Sequence, residues 1–136
     1  MPDKVPLDMV EISRRLKAVA LPEVDLVVGV ATGGIVPASL AAYRLERPLA
    51  VMAINFRAPN NSPQHQAPVL QSHFVRPAAG TRVLLVDDVS VSGQTLELAK
   101  RQLEGCQVTT LVLKGTGDLV LFPEVGACVF WPWKLE

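Results

Sequence analysis

Residues 83–95 read VLLVDDVSVSGQT, and they carry the clearest structural and chemical signal in the sequence. The apolar run is typical of a strand buried on both faces of a parallel sheet. Asp87 and Asp88 follow it, and small and hydroxyl residues then lead to Gly93 and Thr95. Two adjacent carboxylates repel each other unless a cation or hydrogen-bond donors lie between them. The pair therefore favours a ligand site at the end of this strand.

The rest of the sequence alternates helices and strands. Apolar residues at helical spacing predict an amphipathic helix within residues 7–20, ended by Pro22. Further strands are predicted at 25–30, 49–56, 82–87 and 106–113, and further helices from about residue 35 and over about 93–103. This alternation predicts an α/β fold, a parallel twisted sheet with helices on both faces.

Length and composition fit one globular domain over residues 1–136. Hydrophobic residues make up 49% and charged residues 19% of the chain, and the formal net charge is zero. A neutral chain has no overall field to attract nucleic acid or an anionic membrane. Cys106 and Cys128 lack metal-ligand spacing, and no apolar run approaches the roughly 18 residues that span a bilayer. We expect a cytoplasmic protein with no nucleic-acid and no membrane partner.

Three polar, glycine-containing loops follow predicted strands: ATGG at 31–34, DDVSVSGQT at 87–95 and KGTG at 114–117. The carboxyl ends of parallel strands meet at one edge of a sheet, so these loops should converge. The middle loop enters a helix, whose unpaired N–H groups can bind phosphate together with nearby hydroxyls. Ribose hydroxyls, or Mg²⁺ held by ribose and pyrophosphate oxygens, would suit the two carboxylates. The loops together predict a phosphorylated-sugar site.

Two simpler interpretations could also explain the residues of the middle loop. Ser92 could merely cap the following helix. The acidic pocket of a response regulator also pairs aspartates at a strand end, but it does not continue into a Ser/Gly/Thr phosphate turn. Because the acidic pair and the turn occur in one loop, the phosphorylated-sugar site is favoured over both.

The same stretch resembles the phosphoribosyl diphosphate (PRPP) signature of the type I phosphoribosyltransferases, closest to the small purine and 6-oxopurine enzymes. The order of the chain is similar too, with an N-terminal helix, a GG loop after the first core strand and a long segment before the signature. The resemblance implies transfer of the 5-phosphoribosyl group of Mg-PRPP to a nucleobase, in particular a purine, with release of pyrophosphate and a nucleotide. It also implies Mg²⁺ as cofactor and a homodimer or higher homo-oligomer.

The resemblance also implies roles for individual residues. Asp87 and Asp88 would be the catalytic pair, binding the ribose hydroxyls directly or through Mg²⁺. The loop at 31–34 would bind pyrophosphate and often carries a cis peptide in the family, and a flexible hood at about 57–77 would close over the site. The binding residues would be Val91, Ser92, Gly93, Gln94 and Thr95 for the 5′-phosphate, Ala31, Thr32, Gly33 and Gly34 for pyrophosphate, and Lys114 and Val129 for the base.

Three positions depart from the family pattern. Val91 stands where 6-oxopurine enzymes have an acid that handles the proton at purine N7. Cys128 replaces a stacking aromatic residue, and Thr32 replaces an Arg or Lys that would help hold the leaving diphosphate. Four basic hood residues are candidates to replace that charge: Arg57, His65, His73 and Arg76. The departures leave two alternatives open, a non-catalytic PRPP- or nucleotide-binding regulatory protein with the same fold and an acceptor other than a purine.

The C-terminal segment VFWPWKLE, residues 129–136, resembles the corresponding segment of the small purine enzymes. Trp131 and Trp133 could stack on a base, contact a partner subunit or pack in the core. The apolar character of the segment favours subunit association. The sequence identifies neither the oligomer nor the base.

Overall fold

The computed structural model of the protein describes residues 4–55, 68–71 and 73–134. Within these ranges short strands and helices alternate, as the sequence predicts. In chain order the elements are β1 (Val5–Pro6), α1 (Met9–Ala18), β2 (Leu26–Ala31), α2 (Ile35–Leu45), β3 (Leu49–Asn55), β4 (Val69–Leu70), β5 (Arg82–Ser90), α3 (Gln94–Gln102), β6 (Gln107–Gly115), β7 (Leu119–Val120) and β8 (Val129–Phe130).

Six of these strands form the main sheet, in the order β4-β3-β2-β5-β6-β7. Its strands are parallel except β4, which runs antiparallel to β3. β1 and β8 form a separate two-stranded parallel sheet. The chain builds outward from β2 to β3 and then returns to add β5 on the other side of β2. Strand order therefore reverses between β2 and β5, and ligands of open α/β sheets bind at such a point.

Helices cover both faces of the sheet, which confirms the predicted α/β architecture. α1 and α2 bury Ile12 and Ala38 in one core, whereas α3 buries Leu96 in the other. Alternate residues of β5 contribute to the two cores because side chains alternate across a strand. Leu84 and Val86 face the first core, and Val83 and Leu85 the second, all four fully buried. Burying one such side chain contributes about 1.5–3 kcal/mol, so β5 is a fixed support for the loop that follows it.

Close packing also fixes β2 and the helix after it. A Cβ added at Gly29 in β2 would lie 2.7 Å from Ala38 Cβ in α2, so glycine allows the helix to approach the strand. The end of α1 is held against α2 because the Arg44 guanidinium donates to the Leu16 and Val19 carbonyls, at 2.6 and 2.7 Å. α1 ends at Ala18 because Val19 has extended backbone angles.

Two strands are longer than the sequence predicted. β5 was expected to end at Asp87 and continues to Ser90, while β6 was expected to end at residue 113 and continues to Gly115. Pairing across the sheet explains both differences, since Val89 and Ser90 stand in register with Lys114 and Gly115. The polar turn after β5 therefore begins at Val91.

Part of the predicted hood, together with Phe56, the predicted last residue of the second strand, lies outside the described residues, which omit 56–67 and 72. Arg57 and His65 belong to this part of the chain. The described remainder contains β4, which pairs with the end of β3. None of the described helices is long and apolar enough to cross a membrane.

Candidate active site

The first and second predicted loops lie against each other at the carboxyl ends of β2 and β5. A Cβ added at Gly33 would lie 2.5 Å from Asp88 Cγ and still closer to Oδ2. A Cβ at Gly34 would lie 2.6 Å from the Val30 and Val86 carbonyl oxygens. Both distances are far below normal contact, so the loop backbone can occupy this position only where the side chain is a hydrogen. The structure thus places the 31–34 loop directly on the acidic pair.

The 31–34 loop has a cis peptide bond between Ala31 and Thr32, as the resemblance implied. The Gly34 N–H donates to the Val30 carbonyl at 2.8 Å, and the Ile35 N–H donates to the Thr32 carbonyl at 3.2 Å. Thr32 itself is exposed. The loop is therefore a tight connection into α2 that presents backbone and one short polar side chain.

The acidic pair is largely removed from water. Asp87 is 7% exposed, and the Asp88 side chain is 13% exposed. Asp87 Oδ1 accepts the Asp88 N–H, and Asp88 Oδ1 accepts the Val89 N–H, both at 2.8 Å. Burial, and after it the neighbouring Asp88 charge, raises the pKa of Asp87 well above its usual range. The pair therefore suits a ligand that brings positive charge or hydroxyl donors.

The two carboxylates fit a magnesium ion that is shared with a substrate. No group of three or more His, Cys, Asp or Glu side chains converges within residues 4–55, 68–71 and 73–134. Mg²⁺ commonly binds one or two carboxylates and completes its shell with substrate oxygens and water. Asp87 and Asp88 would supply that partial set of oxygen ligands.

The turn after β5 leads directly into the N-terminus of α3. Gly93 has a left-handed conformation (φ 82°), which glycine adopts without strain, and α3 begins at the next residue. The Gln94 N–H donates to Ser92 Oγ at 3.3 Å, so Ser92 partly caps the helix. Val91 is 81% exposed, and Ser92 is exposed as well. The turn is therefore open to a ligand, and the first N–H groups of α3 have no partner within the helix.

The third predicted loop is fixed to the end of β5. The Thr116 N–H donates to the Ser90 carbonyl at 2.8 Å. Gly115 has φ 104°, and a Cβ there would lie 2.8 Å from the Ser90 carbonyl carbon and closer still to its oxygen. Lys114, one residue earlier, is half-buried and stands in register with Val89. All three predicted loops therefore meet around the end of β5.

The 114–117 loop is closed at its far end by Asp118. The Asp118 carboxylate accepts the Thr110 N–H at 2.9 Å and its hydroxyl at 3.1 Å. The Asp118 N–H in turn donates to Thr110 Oγ1 at 2.8 Å. Because Thr110 is a buried residue of β6, these bonds connect the loop to the core of the sheet.

The C-terminal segment is anchored by a pair of stacked tryptophans. Trp131 is 5% exposed and stacks on Trp133 with ring centroids 5.3 Å apart. Trp131 therefore packs in the core, one of the roles considered for it. Val129, a predicted base-binding residue, is half-buried in β8 opposite Val5, and Cys128 before it is exposed.

Lys134 is the residue that sequence reasoning missed. Its ammonium nitrogen lies 3.8 Å from Asp88 Oδ2, and its charge lowers the pKa of Asp87 against the larger effect of burial. The resemblance implied a site role for Lys114 and for no other lysine. No local pattern marks Lys134, since only the folded C-terminal segment brings it to β5.

Two of the basic hood residues, His73 and Arg76, lie among the described residues. Neither is seen beside the acidic pair. Arg76 donates to the Arg101 and Gln102 carbonyls, each at 3.3 Å, and lies 3.8 Å from a Glu104 carboxylate oxygen. These partners are at the C-terminal end of α3, whereas the phosphate turn is at its N-terminal end. Arg76 is thus held away from the diphosphate position that was considered for it, and His73 is exposed.

Comparison with known proteins identifies the family. The sequence profile of the phosphoribosyl transferase domain matches residues 5–131, so the chain belongs to this family. The predicted type I phosphoribosyltransferase relationship is confirmed, and the chain is a transferase enzyme by class. A search of curated proteins found no match.

Solved structures show the same fold. A purine phosphoribosyltransferase from Pyrococcus horikoshii is 24% identical with a TM-score of 0.78, covering 98% of this chain and 95% of that one. A hypothetical protein from Neisseria gonorrhoeae with bound ppGpp is 22% identical with a TM-score of 0.76, covering 99% and 91%. An orotate phosphoribosyltransferase from Aeropyrum pernix is 27% identical with a TM-score of 0.53, covering 88% and 67%. Two of these proteins are phosphoribosyltransferases named for different bases and the third has bound ppGpp, so the fold alone does not identify the acceptor.

Proposed function

We propose that the protein transfers the 5-phosphoribosyl group of PRPP to a nucleobase, with a purine as the acceptor class, and releases pyrophosphate. One observation carries the proposal. The Gly33 backbone packs against the Asp88 carboxylate. The open turn before α3 begins at Val91, three residues after Asp88. The 31–34 loop, the acidic pair and the turn are thereby combined at one sheet edge, which supports their proposed roles in binding the diphosphate, the diol and the 5′-phosphate of PRPP.

The turn would bind the 5′-phosphate. A helix N-terminus attracts anions because its N–H groups are unpaired and carry partial positive charge. Exposed hydroxyls beside those N–H groups can donate further hydrogen bonds. The residues assigned to this function are Val91, Ser92, Gly93, Gln94 and Thr95.

The acidic pair would orient the ribose. Hydroxyls at C2 and C3 can donate to Asp87 and Asp88, and a buried carboxylate such as that of Asp87 needs such donors. Mg²⁺ bound together with PRPP would neutralise negative charge on the leaving diphosphate. The 31–34 loop would bind the same diphosphate through its backbone, and the fixed ribose would present C1 to the acceptor nitrogen.

The acceptor proton has no recipient at residue 91, since the Val91 side chain cannot act as a base. Val91 is also largely exposed, so we infer that this proton leaves to solvent. No covalent protein intermediate is proposed. Ser39, the one serine of α2, donates its hydroxyl to the Ile35 carbonyl at 2.7 Å and serves the helix.

Lys114 and Val129 are proposed to contact the base. A purine is supported by the similarity to the Pyrococcus horikoshii enzyme and by the half-buried position of Lys114 beside the end of β5. A 6-oxo group is a good acceptor for an ammonium donor, so guanine, hypoxanthine and xanthine are favoured over adenine.

The direct test is pyrophosphate release from PRPP with Mg²⁺, using separate guanine, hypoxanthine, xanthine, adenine, uracil and orotate and a control without base. Release above the control with a 6-oxopurine is expected. Release with a pyrimidine only would refute the purine assignment. Folded protein that releases no pyrophosphate with any base would refute the transferase proposal.

A regulatory protein that binds PRPP or a nucleotide is the second candidate. It is favoured by the departures at Val91, Cys128 and Thr32 and by the similarity to a protein with bound ppGpp. Thermal stabilisation by PRPP or ppGpp without turnover would identify it. One domain over residues 1–136, a homodimer or higher homo-oligomer and a cytoplasmic location remain predictions.

A further inference from the structure

Lys134 lies beside the Asp88 carboxylate of the candidate site. Its ammonium nitrogen is 3.8 Å from Asp88 Oδ2. A Cβ added at Gly33, in the 31–34 loop, would overlap the same carboxylate group. The ammonium and the 31–34 loop therefore border the same carboxylate, and Lys134 is close to the proposed diphosphate position.

The position of Lys134 is set by the anchored C-terminal segment. Trp131 is buried and stacks on Trp133, and the Lys134 N–H donates to the Trp131 carbonyl at 3.1 Å. The lysine side chain itself remains 49% exposed. Its backbone is therefore held in place, while its flexible four-carbon side chain can carry the ammonium from one partner to another.

The 31–34 loop lacks a positive charge of its own. Thr32 stands where a positive charge would stabilise a leaving diphosphate. Arg76 is bound instead to carbonyl groups at the C-terminal end of α3. A charged donor next to a multiply charged anion gives a stronger hydrogen bond than a neutral donor. Lys134 has the required charge and borders the carboxylate on which the loop packs.

We propose that Lys134 is a diphosphate-binding residue that replaces the charge missing at Thr32. In the free protein its ammonium is paired with Asp88. When PRPP binds, the ribose hydroxyls and the accompanying cation compensate Asp88, and the ammonium turns to an oxygen of the leaving diphosphate. This proposal rests on the proposed PRPP site.

The test compares three ligands in the presence of Mg²⁺ by isothermal titration calorimetry: PRPP, pyrophosphate and ribose 5-phosphate. Ribose 5-phosphate has the diol and the 5′-phosphate but no diphosphate. For Lys134→Gln we expect affinities for PRPP and pyrophosphate to fall about tenfold or more, as for other hydrogen bonds to charged groups. The affinity for ribose 5-phosphate should be unchanged or higher, because Asp88 no longer has a competing partner.

Two variants serve as controls. Lys134→Arg keeps the charge and should retain PRPP affinity within a few-fold. Lys100→Gln removes a comparably exposed lysine, whose ammonium lies 3.9 Å from a Glu97 carboxylate oxygen in α3, and should behave as wild type. Thermal unfolding of each variant shows that the fold is retained.

Binding results that differ from these expectations would overturn the proposal. Unchanged PRPP affinity in Lys134→Gln shows that the lysine does not bind diphosphate. An equal loss for PRPP and ribose 5-phosphate assigns it to the ribose or to the structure of the site. Wild-type protein that binds none of the three ligands refutes the proposed function along with this inference, whereas normal wild-type binding with an unaffected Lys134→Gln refutes the inference alone.

Discussion

Replacing Gly33 by alanine should disable the site by a steric effect on Asp88. The added Cβ would lie 2.5 Å from Asp88 Cγ and 2.7 Å from Oδ1. Non-bonded contacts of this length are essentially never made by a Cβ atom, so either the loop or the carboxylate must move. Moving the carboxylate breaks its hydrogen bond with the Val89 N–H, and bonds of this charged type contribute about 1.5–3 kcal/mol. Moving the loop instead incurs an overpacking cost of about 1–3 kcal/mol.

Both responses displace groups that the proposed reaction requires. We therefore expect Gly33→Ala to lower kcat/KM for PRPP by about tenfold or more and the free energy of unfolding by about 1–3 kcal/mol. The assays are pyrophosphate release and urea unfolding. Gly126→Ala is the matched control, because a Cβ at Gly126 meets nothing within 4 Å, and it should leave both quantities unchanged.

A second substitution separates the steric effect from any other effect of the alanine. In an Asp88→Ala background the carboxylate is absent, so Gly33→Ala should destabilise the protein much less than it does in the wild type. Equal destabilisation in the two backgrounds would refute the proposed contact. Unchanged PRPP kinetics in Gly33→Ala would refute the arrangement of the site.

Three further predictions concern stability. Asp87→Asn should raise the free energy of unfolding at neutral pH while lowering activity, because burial raises the pKa of Asp87 and ionised Asp87 destabilises the fold. The gain should shrink as the pH falls towards the ordinary pKa of 3.8 and should be absent below it. Arg82 lowers the pKa of Asp25 to about 2, so the ionised Asp25 stabilises the fold above its ordinary pKa of 3.8. Asp25→Asn should therefore destabilise at neutral pH, and urea unfolding should show the difference disappearing as the pH falls from 3.8 to about 2. Gly115→Ala should lower the melting temperature because its Cβ would overlap the Ser90 carbonyl, and a wild-type melting curve would contradict the packing described for the third loop.

The convergence of the three loops could be predicted from the sequence because it follows from a general property of parallel sheets. Once the runs before 31–34, 87–95 and 114–117 are recognised as parallel strands, their carboxyl ends must lie at one edge. The structure brings these loops together as expected. The acidic pair could be recognised from the local sequence, because two adjacent carboxylates after an apolar run repel each other unless a cation or hydrogen-bond donors lie between them.

The features that sequence reasoning missed depend on contacts between distant segments. The last residues of β5 and β6 are strand because Ser90 pairs with Gly115, and neither has a strong strand preference alone. β1 and β8 have two residues each and stabilise each other, so neither leaves a local pattern. Lys134 reaches Asp88 only because the tryptophan pair anchors the C-terminal segment, and that contact could not be seen in the order of residues.

The proposed function requires that the acidic pair and the two loops beside it form a PRPP site. The most direct measurement compares pyrophosphate release by wild-type protein and Asp88→Asn, with Mg²⁺, PRPP and the most active base. Asparagine keeps the size of the side chain and removes the charge, so we expect kcat/KM for PRPP to fall at least tenfold, or by about 1.4 kcal/mol or more. Equal rates for the two proteins would contradict the account.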